Sequence, residues 1–193
     1  MRPGDTFVDL GANIGAYSLW AAKLVGPRGT VVAVEAEPRN FAVFCRNVQL
    51  NGFSNIRTFN IGVSDRYEQL TLFLNETRNS GGHTFVGGLH SGSSSVQVKC
   101  KPLAEILREA EVRRVDFMKL DIEGFEERVL SKFFEDVPRD SALRPTHIVT
   151  EVLFGRGSGS HELVRSICEA GYVLAMEKKG SALLQRRNES FSR

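Results

Sequence analysis

The chain has 193 residues, of which 41% are hydrophobic and 25% are charged, which is typical of one globular domain. No apolar run approaches the roughly 20 residues of a membrane-spanning helix, and the 25 basic and 23 acidic residues, with a net charge of +2, form no basic face for nucleic acid. The three cysteines form no CxxC pair and no secretory signal precedes them, so we predict a cytoplasmic protein. From the length, the apolar runs and the charges we predict a single domain over residues 1–193, without membrane or nucleic-acid partners.

Strand-length apolar runs alternate with helix-period segments in the first third of the chain. The sequence predicts strands at 6–10, 30–34 and 56–61, and helices at 17–25 and 40–50. Strands that alternate with helices in this way form βαβ units, in which the sheet is parallel. We expect Trp20 and Phe41, and also Phe133 and Phe134 further along the chain, to pack into the core.

The middle of the chain interrupts this alternation. Residues 69–74 and 95–99 alternate apolar and polar side chains, and they flank a glycine- and serine-rich stretch at about 76–95. This pattern predicts two exposed strands around an insertion loop. A loop of this length is either a lid or a disordered insertion, and the sequence does not decide between the two.

After Pro102 the alternation of strands and helices resumes. The sequence predicts a helix that ends at Ala110, followed by a strand at 115–120, a helix at 125–134, a strand at 147–153, a helix at 162–170, and strands at 172–176 and 182–185. The last two strands are joined by so short a turn that they must be antiparallel. The predicted fold class is therefore α/β, with a doubly wound, Rossmann-like sheet of seven strands that is mostly parallel and has an antiparallel C-terminal hairpin strand.

A glycine-rich turn, Asp9-Leu10-Gly11-Ala12-Asn13-Ile14-Gly15, follows the first strand. In an open parallel sheet, ligands bind outside the carboxyl ends of the strands. Gly11 and Gly15 allow close approach of the backbone to a ligand, and their GxxxG spacing departs from the GxGxxG of a dinucleotide site. A sulfonium donor with an amino-acid tail needs nearby carboxylate and amide groups, which Asp9 and Asn13 can supply. An alternative is that Asp9 caps the following helix.

Two further strand ends carry candidate cofactor contacts. Glu35 ends the second strand about 20 residues beyond the glycine turn, where a ribose-binding acid is expected. The alternative for Glu35 is a solvated loop charge. Asn60, at the end of the third strand, is the predicted adenine contact.

In four segments the sequence resembles the FkbM family of methyltransferases. These are residues 7–15, 34–38, 60–65 and 117–126, and Lys119-Leu120-Asp121-Ile122-Glu123-Gly124 is the most family-specific part. The resemblance implies a class I methyltransferase fold, S-adenosylmethionine as cofactor, and commonly a hydroxyl acceptor on a sugar, polyketide or similar natural product. We therefore predict O-methylation of a small-molecule or carbohydrate hydroxyl. Because Met1 lies so close to the first strand, we expect the helical segment that precedes this strand in the family to be absent.

Methylation of an alcohol oxygen requires removal of its proton by a positioned base or a metal. Asp121 and Glu123 follow the fourth strand of the predicted sheet and Glu151 lies near the end of the fifth, so we predict that they orient the acceptor or act as base. His83, in the insertion loop, is a further candidate base. The alternatives are that Asp121 is a helix cap and that Glu123 is a first-turn helix charge. Acids without a fixed geometry are weak evidence for a cation, so we assign no metal.

Two other functions remain open from the sequence. One is a nucleotide-binding oxidoreductase on the same architecture, although the chain lacks the glycine spacing of that class. The other is a catalytically inactive, methyltransferase-like module that binds a partner through the insertion loop.

Overall fold

Strands and helices alternate along most of the chain in the computed structural model, which describes residues 1–75, 83–86, 94–151, 159–178 and 180–187. The elements in chain order are β1 (Thr6–Leu10), α1 (Ala16–Val25), β2 (Thr30–Val34), α2 (Pro38–Asn51), β3 (Ile56–Phe59), β4 (Gly62–Ser64), β5 (Glu68–Phe73), β6 (Ser95–Pro102), α3 (Leu103–Glu109), β7 (Phe117–Leu120), α4 (Glu126–Asp136), β8 (His147–Glu151), α5 (Gly159–Glu169), β9 (Tyr172–Lys178) and β10 (Ser181–Arg186). Within these ranges, no helix is both long and apolar enough to cross a membrane.

The main sheet has seven strands in the order β3-β2-β1-β7-β8-β10-β9. The first five pair in parallel, whereas β10 is antiparallel to both of its neighbours. This arrangement confirms the predicted α/β class and the reversed C-terminal strand. It also places the carboxyl ends of β1, β2, β7 and β8 at one edge, because these strands are parallel and adjacent.

Helices cover the two faces of this sheet unequally. Alternate residues of a strand point to opposite faces, so Phe7 and Val31 pack with α1 and α2, whereas Val8 and Val32 pack with α3, α4 and α5. The second of these cores also includes Met118 and Ile148 of β7 and β8. On the opposite face of β7 and β8, beside α1, side chains stay accessible and line a cleft.

The inserted strands form a separate sheet in the order β4-β6-β5, with β5 and β6 antiparallel. The predicted third strand was therefore too long, because it ends at Phe59 and the chain enters this second sheet at Gly62. The strands predicted to be exposed are half-buried, since Leu72 and Val98 pack into a small core of their own. Most of the predicted insertion loop, at 76–82 and 87–93, lies outside the described residues.

Candidate active site

Four neighbouring strand ends bring the candidate site residues to one edge of the sheet. The strands pair in register at Leu10 with Val34, at Leu10 with Leu120 and at Leu120 with Thr150. The chain therefore leaves all four strands at the same level. The residues that follow these positions are Gly11, Glu35, Asp121 and Glu151.

Two clefts open at this edge. The glycine-turn cleft is lined by Gly11, Asn13, Glu35, residues 61–63, His83 and residues 121–123, among others. The aromatic cleft, of about 470 Å³, is lined on the face of β7 and β8 by Tyr17, Trp20, Phe117, Lys119, Val149, Glu151 and others. Asp121 and Glu123 line both clefts. Molecules bound in the two clefts would therefore meet at these two acids.

The glycine turn is fixed by close packing of its backbone. Gly11 has a φ of 79°, and a Cβ at this position would overlap the carbonyl oxygen of Asp121. Gly15 has a φ of 92°, and a Cβ there would overlap the ring of Phe44 on α2. At both glycines the space that a side chain would occupy is therefore already filled by the protein, and Gly11 also lines the glycine-turn cleft.

Glu35 is a buried acid, with only 7% of its surface exposed. Its Oε2 accepts a hydrogen bond of 2.7 Å from the backbone N–H of Asn13, and its Oε1 accepts one of 2.9 Å from that of Glu37. Burial raises the pKa of Glu35 above its ordinary value. The alternative of a solvated loop charge is therefore wrong. A carboxylate has about four acceptor positions, so these two bonds leave capacity for ligand hydroxyls.

Asp9 lies beneath the glycine turn and is fully buried. Its Oδ2 accepts a hydrogen bond of 2.6 Å from Ser18 Oγ, and its Oδ1 lies 3.3 Å from the ammonium of Lys119. Burial raises the pKa of Asp9, and Lys119 and Ser18 oppose that rise. The helix-cap alternative is wrong, because Gly15 occupies the N-cap position of α1 without a side-chain bond. Direct contact of Asp9 with a cofactor stays a prediction.

Replacement of Ser18 with alanine is expected to lower the free energy of unfolding by about 1.5–3 kcal/mol at neutral pH, because a buried carboxylate loses a hydrogen bond. The loss should shrink as pH falls. Burial already raises the pKa of Asp9, the Ser18 bond lowers it, and that bond therefore matters most while Asp9 is ionised. Denaturant unfolding across pH measures both effects, with the exposed Ser54→Ala as control. An effect no larger than that of the control would show that Asp9 does not need Ser18.

Three acids form a cluster where the clefts meet. Asp121, Glu123 and Glu151 each place one carboxylate oxygen within 4.8 Å of the others. Burial and the nearby carboxylates of Asp121 and Glu126 raise the pKa of Glu151. Oxygen atoms so arranged are also what a divalent cation takes as ligands, but exposed acids commonly cluster without one. The assignment of no metal stays a prediction.

The helix-related alternatives for Asp121 and Glu123 are wrong. Helix α4 begins at Glu126, so Glu123 precedes its first turn. The carboxylate of Glu126 itself accepts hydrogen bonds from the backbone N–H groups of Ile122 and Gly124. Glu123 has a φ of 53°, and its carbonyl accepts a bond of 2.8 Å from Thr84 Oγ1. Glu126 and Thr84 thus hold the turn that carries both acids.

Two aromatic side chains of α1 are exposed in the aromatic cleft. Trp20 is 58% exposed and Tyr17 is 60% exposed. They lie three residues apart and therefore share one face of the helix. The prediction that Trp20 packs into the core was wrong, because the periodicity of α1 does not reveal that nothing in the described residues covers this side.

The remaining predicted residues occupy the walls of the glycine-turn cleft or lie behind them. The side-chain amide of Asn60 donates to the backbone carbonyls of Glu35 and Ala36, at 2.8 and 3.3 Å, and residues 61–63 line the cleft beside it. The adenine contact of Asn60 stays a prediction. His83 lines the same cleft, and its Nδ1 accepts a hydrogen bond of 2.9 Å from the backbone N–H of Asn75. Its role as a base also stays a prediction.

Lys119 belongs to this site, although the sequence pattern assigns it no role. It lies between the two clefts, and its ammonium contacts Asp9, Asp121 and the carbonyl oxygen of Gly11. The available signal was a lysine within a short buried strand, two residues before an acid. A charged side chain in such a strand requires partners, which the sequence alone does not identify.

Comparisons with known proteins identify a matching family model and similar sequences. The model of the methyltransferase FkbM domain matches residues 9–174. Methyltransferase sdnD of Sordaria araneosa is 29% identical over 163 residues, which cover 69% of this chain and 62% of that protein. The 31-O-demethyl-FK506 methyltransferase FkbM of Streptomyces tacrolimicus is 27% identical over 158 residues, which cover 68% of this chain and 60% of that protein.

A solved structure shows the same fold. The methyltransferase FkbM of Methylobacillus flagellatus KT aligns with a TM-score of 0.62 and 14% identity, over 96% of this chain and 44% of that one. This likeness confirms the class I methyltransferase fold. The chain nevertheless spans only 62% and 60% of the two curated relatives that it matches.

Proposed function

The chain belongs to the FkbM methyltransferase family, and from that premise we propose that it transfers the methyl group of S-adenosylmethionine to a hydroxyl oxygen of a small molecule or carbohydrate. The observation that carries this proposal is the meeting of two clefts at Asp121 and Glu123. One cleft has the features of a cofactor site, and the other has room for an acceptor.

The glycine-turn cleft has a volume of only about 100 Å³, and it is its lining that suits the proposed cofactor. Gly11 and Asn13 line this cleft, and Glu35 offers carboxylate oxygens close to the sheet edge. Glu35 follows the strand next to the one that leads into the glycine turn, which is the position of a ribose-binding acid. Residues 61–63 supply an apolar wall against which a flat base can lie. These residues would hold the nucleoside part, and the glycine turn would lie beside the amino-acid tail.

The aromatic cleft fits an acceptor that carries a hydroxyl. Its volume of about 470 Å³ lies within the range of small-molecule sites. Tyr17 and Trp20 offer apolar surface, whereas polar groups gather at the end that adjoins the glycine-turn cleft. An acceptor that lies along the aromatic side chains would present its hydroxyl to Asp121, Glu123 and Glu151.

When bound, S-adenosylmethionine supplies a methyl group that is already electrophilic because it sits on a sulfonium. The protein must therefore align the acceptor oxygen and take up its proton. Asp121 borders both clefts and its carboxylate lies 3.3 Å from the ammonium of Lys119, which holds it at their meeting point, whereas Glu151 lines the aromatic cleft. We therefore assign proton uptake to Asp121, with Glu123 and Glu151 orienting the hydroxyl. The name of the Streptomyces tacrolimicus relative, a 31-O-demethyl-FK506 methyltransferase, supports oxygen as the methylated atom.

Binding and transfer assays on the full natural chain test this function. Calorimetry should detect S-adenosylhomocysteine binding and no NAD binding, and a radiolabelled donor should methylate at least one of a macrolide, a glycoside and a phenol. NAD binding without S-adenosylhomocysteine binding would instead favour the oxidoreductase. Donor binding without turnover on any hydroxyl compound would favour the inactive module.

A further inference from the structure

Lys119 joins the two clefts through one buried ammonium. It pairs with Asp9 across the adjacent strands β7 and β1, and its side chain is 11% exposed. Its Nζ donates to the carbonyl oxygen of Gly11 at 3.1 Å and lies 3.3 Å from Asp9 Oδ1 and 3.3 Å from Asp121 Oδ2. The contact with Gly11 is a hydrogen bond and the two carboxylate contacts are ion pairs, so one ammonium holds three oxygen atoms of two strand ends and the glycine turn.

We propose, on the basis of the proposed function, that Lys119 is a positioning residue that sets the glycine turn and the Asp121 carboxylate at fixed distances from one cation. Lys119 thereby fixes the wall of the glycine-turn cleft relative to that of the aromatic cleft. Lys119 does not exchange a proton in this role and does not need to touch either substrate.

The contacts of Lys119 exceed what a structural ion pair requires. The buried Asp9 needs a counter-charge, and a lysine directed only to Asp9 would supply it. Lys119 also bonds the backbone of the glycine turn and reaches Asp121, whose side chain is 40% exposed and would be solvated without help. The contacts with Gly11 and Asp121 therefore hold the two cleft walls in place and are not needed to compensate the buried charge of Asp9.

The acidic cluster explains why Asp121 needs this contact. Three carboxylates within 4.8 Å repel one another, and Asp121 is free to turn toward solvent. The ammonium opposes that movement and keeps Asp121 beside Glu151. Burial lowers the pKa of Lys119, but attraction to Asp9 and Asp121 outweighs burial and holds it above its ordinary value. The ammonium is therefore a permanent charge.

A lysine suits this position better than an arginine does. The ammonium is compact, and its donors point in three directions, toward three separate acceptors. A guanidinium keeps the charge but places its donors in a plane, which suits a single carboxylate. Substitution by arginine should therefore preserve the neutralisation of Asp9 while displacing Asp121. Substitution by methionine keeps the length of the side chain and removes both charge and donors.

The test compares the wild type, Lys119→Met, Lys119→Arg and the control Lys132→Met in the full natural chain. Lys132 pairs with Asp136 on α4, away from both clefts. The measurements are S-adenosylhomocysteine affinity, the melting temperature, and kcat and KM with an acceptor that the wild type methylates. For Lys119→Met we expect roughly a tenfold loss of S-adenosylhomocysteine affinity and a larger loss of kcat, because hydrogen bonds to charged groups are removed. The control should match the wild type.

The arginine variant separates positioning from stability. We expect Lys119→Arg to keep the melting temperature near that of the wild type while kcat falls by roughly tenfold and the acceptor KM changes little. Wild-type kcat and affinity in a folded Lys119→Arg would overturn the proposal, even if Lys119→Met failed to fold. A wild type that does not bind S-adenosylhomocysteine would instead overturn the proposed function, and with it this inference.

Discussion

Replacement of Asp121 with asparagine is expected to lower kcat by about a hundredfold or more, while S-adenosylhomocysteine affinity stays within about threefold of the wild type. Asparagine has the shape of aspartate and can still accept a bond from Lys119, but it cannot take up a proton. The side chain of Asp121 borders both clefts, so its loss should affect the step at which their contents react. Radiolabelled methyl transfer and calorimetry measure the two quantities.

Two further variants make this result specific to Asp121. Asp140→Asn changes an exposed acid remote from the clefts and should leave both quantities unchanged. Glu151→Gln tests the neighbouring acid, and a kcat loss larger there than in Asp121→Asn would transfer the role of base to Glu151. Normal turnover in Asp121→Asn would reduce Asp121 to a scaffolding residue.

The second large effect is expected at Glu35, where substitution by alanine should weaken S-adenosylhomocysteine binding by at least about tenfold, or about 1.4 kcal/mol. The variant loses the proposed acceptor for ribose hydroxyls and also the bond that holds the backbone N–H of Asn13. Glu35→Gln should lose less affinity, because it keeps the side-chain length and one oxygen. Thermal unfolding checks that both variants remain folded.

A control variant and the pH dependence of the affinity distinguish a binding role of Glu35 from a general effect of losing one negative charge. Glu135→Ala removes an exposed acid on α4 and should leave the affinity unchanged. Because burial raises the pKa of Glu35, its carboxylate becomes protonated at a higher pH than an ordinary glutamate does. Wild-type affinity should therefore fall as pH decreases through that pKa, and Glu35→Gln should lack this component. Equal affinity in Glu35→Ala and the wild type would remove Glu35 from the site.

Much of the candidate site could be predicted from the sequence because its residues lie at the carboxyl ends of strands. Gly11, Glu35, Asp121 and Glu151 each follow or end an apolar run, and parallel neighbouring strands bring such positions to one edge. The spacing of Gly11 and Gly15 likewise indicated a tight turn, and both residues have the positive φ that such a turn requires. These are local signals, and the order of the elements converts them into proximity.

The contacts of Lys119 could not be predicted from such local signals. Its partners Asp9 and Gly11 precede it by 110 and 108 residues, and no periodicity links them. The sequence shows a lysine in an apolar strand, which is unfavourable without partners, but it does not say which acids supply the compensation. The same limit applies to Asp9, whose burial under the turn depends on Ser18 of α1 and Lys119 of β7.

By itself, the sequence determined the alternation of strands and helices in the main sheet, the glycine turn and the placement of the acids at strand ends, because side-chain periodicity and chain order fix these features. Only the tertiary structure decided that Trp20 and Tyr17 face a cleft, that the inserted strands form their own sheet, and that Lys119 connects Asp9 to Asp121. The physical reason is that periodicity reports which side of an element is apolar, whereas burial and charge pairing depend on what remote segments place against that side.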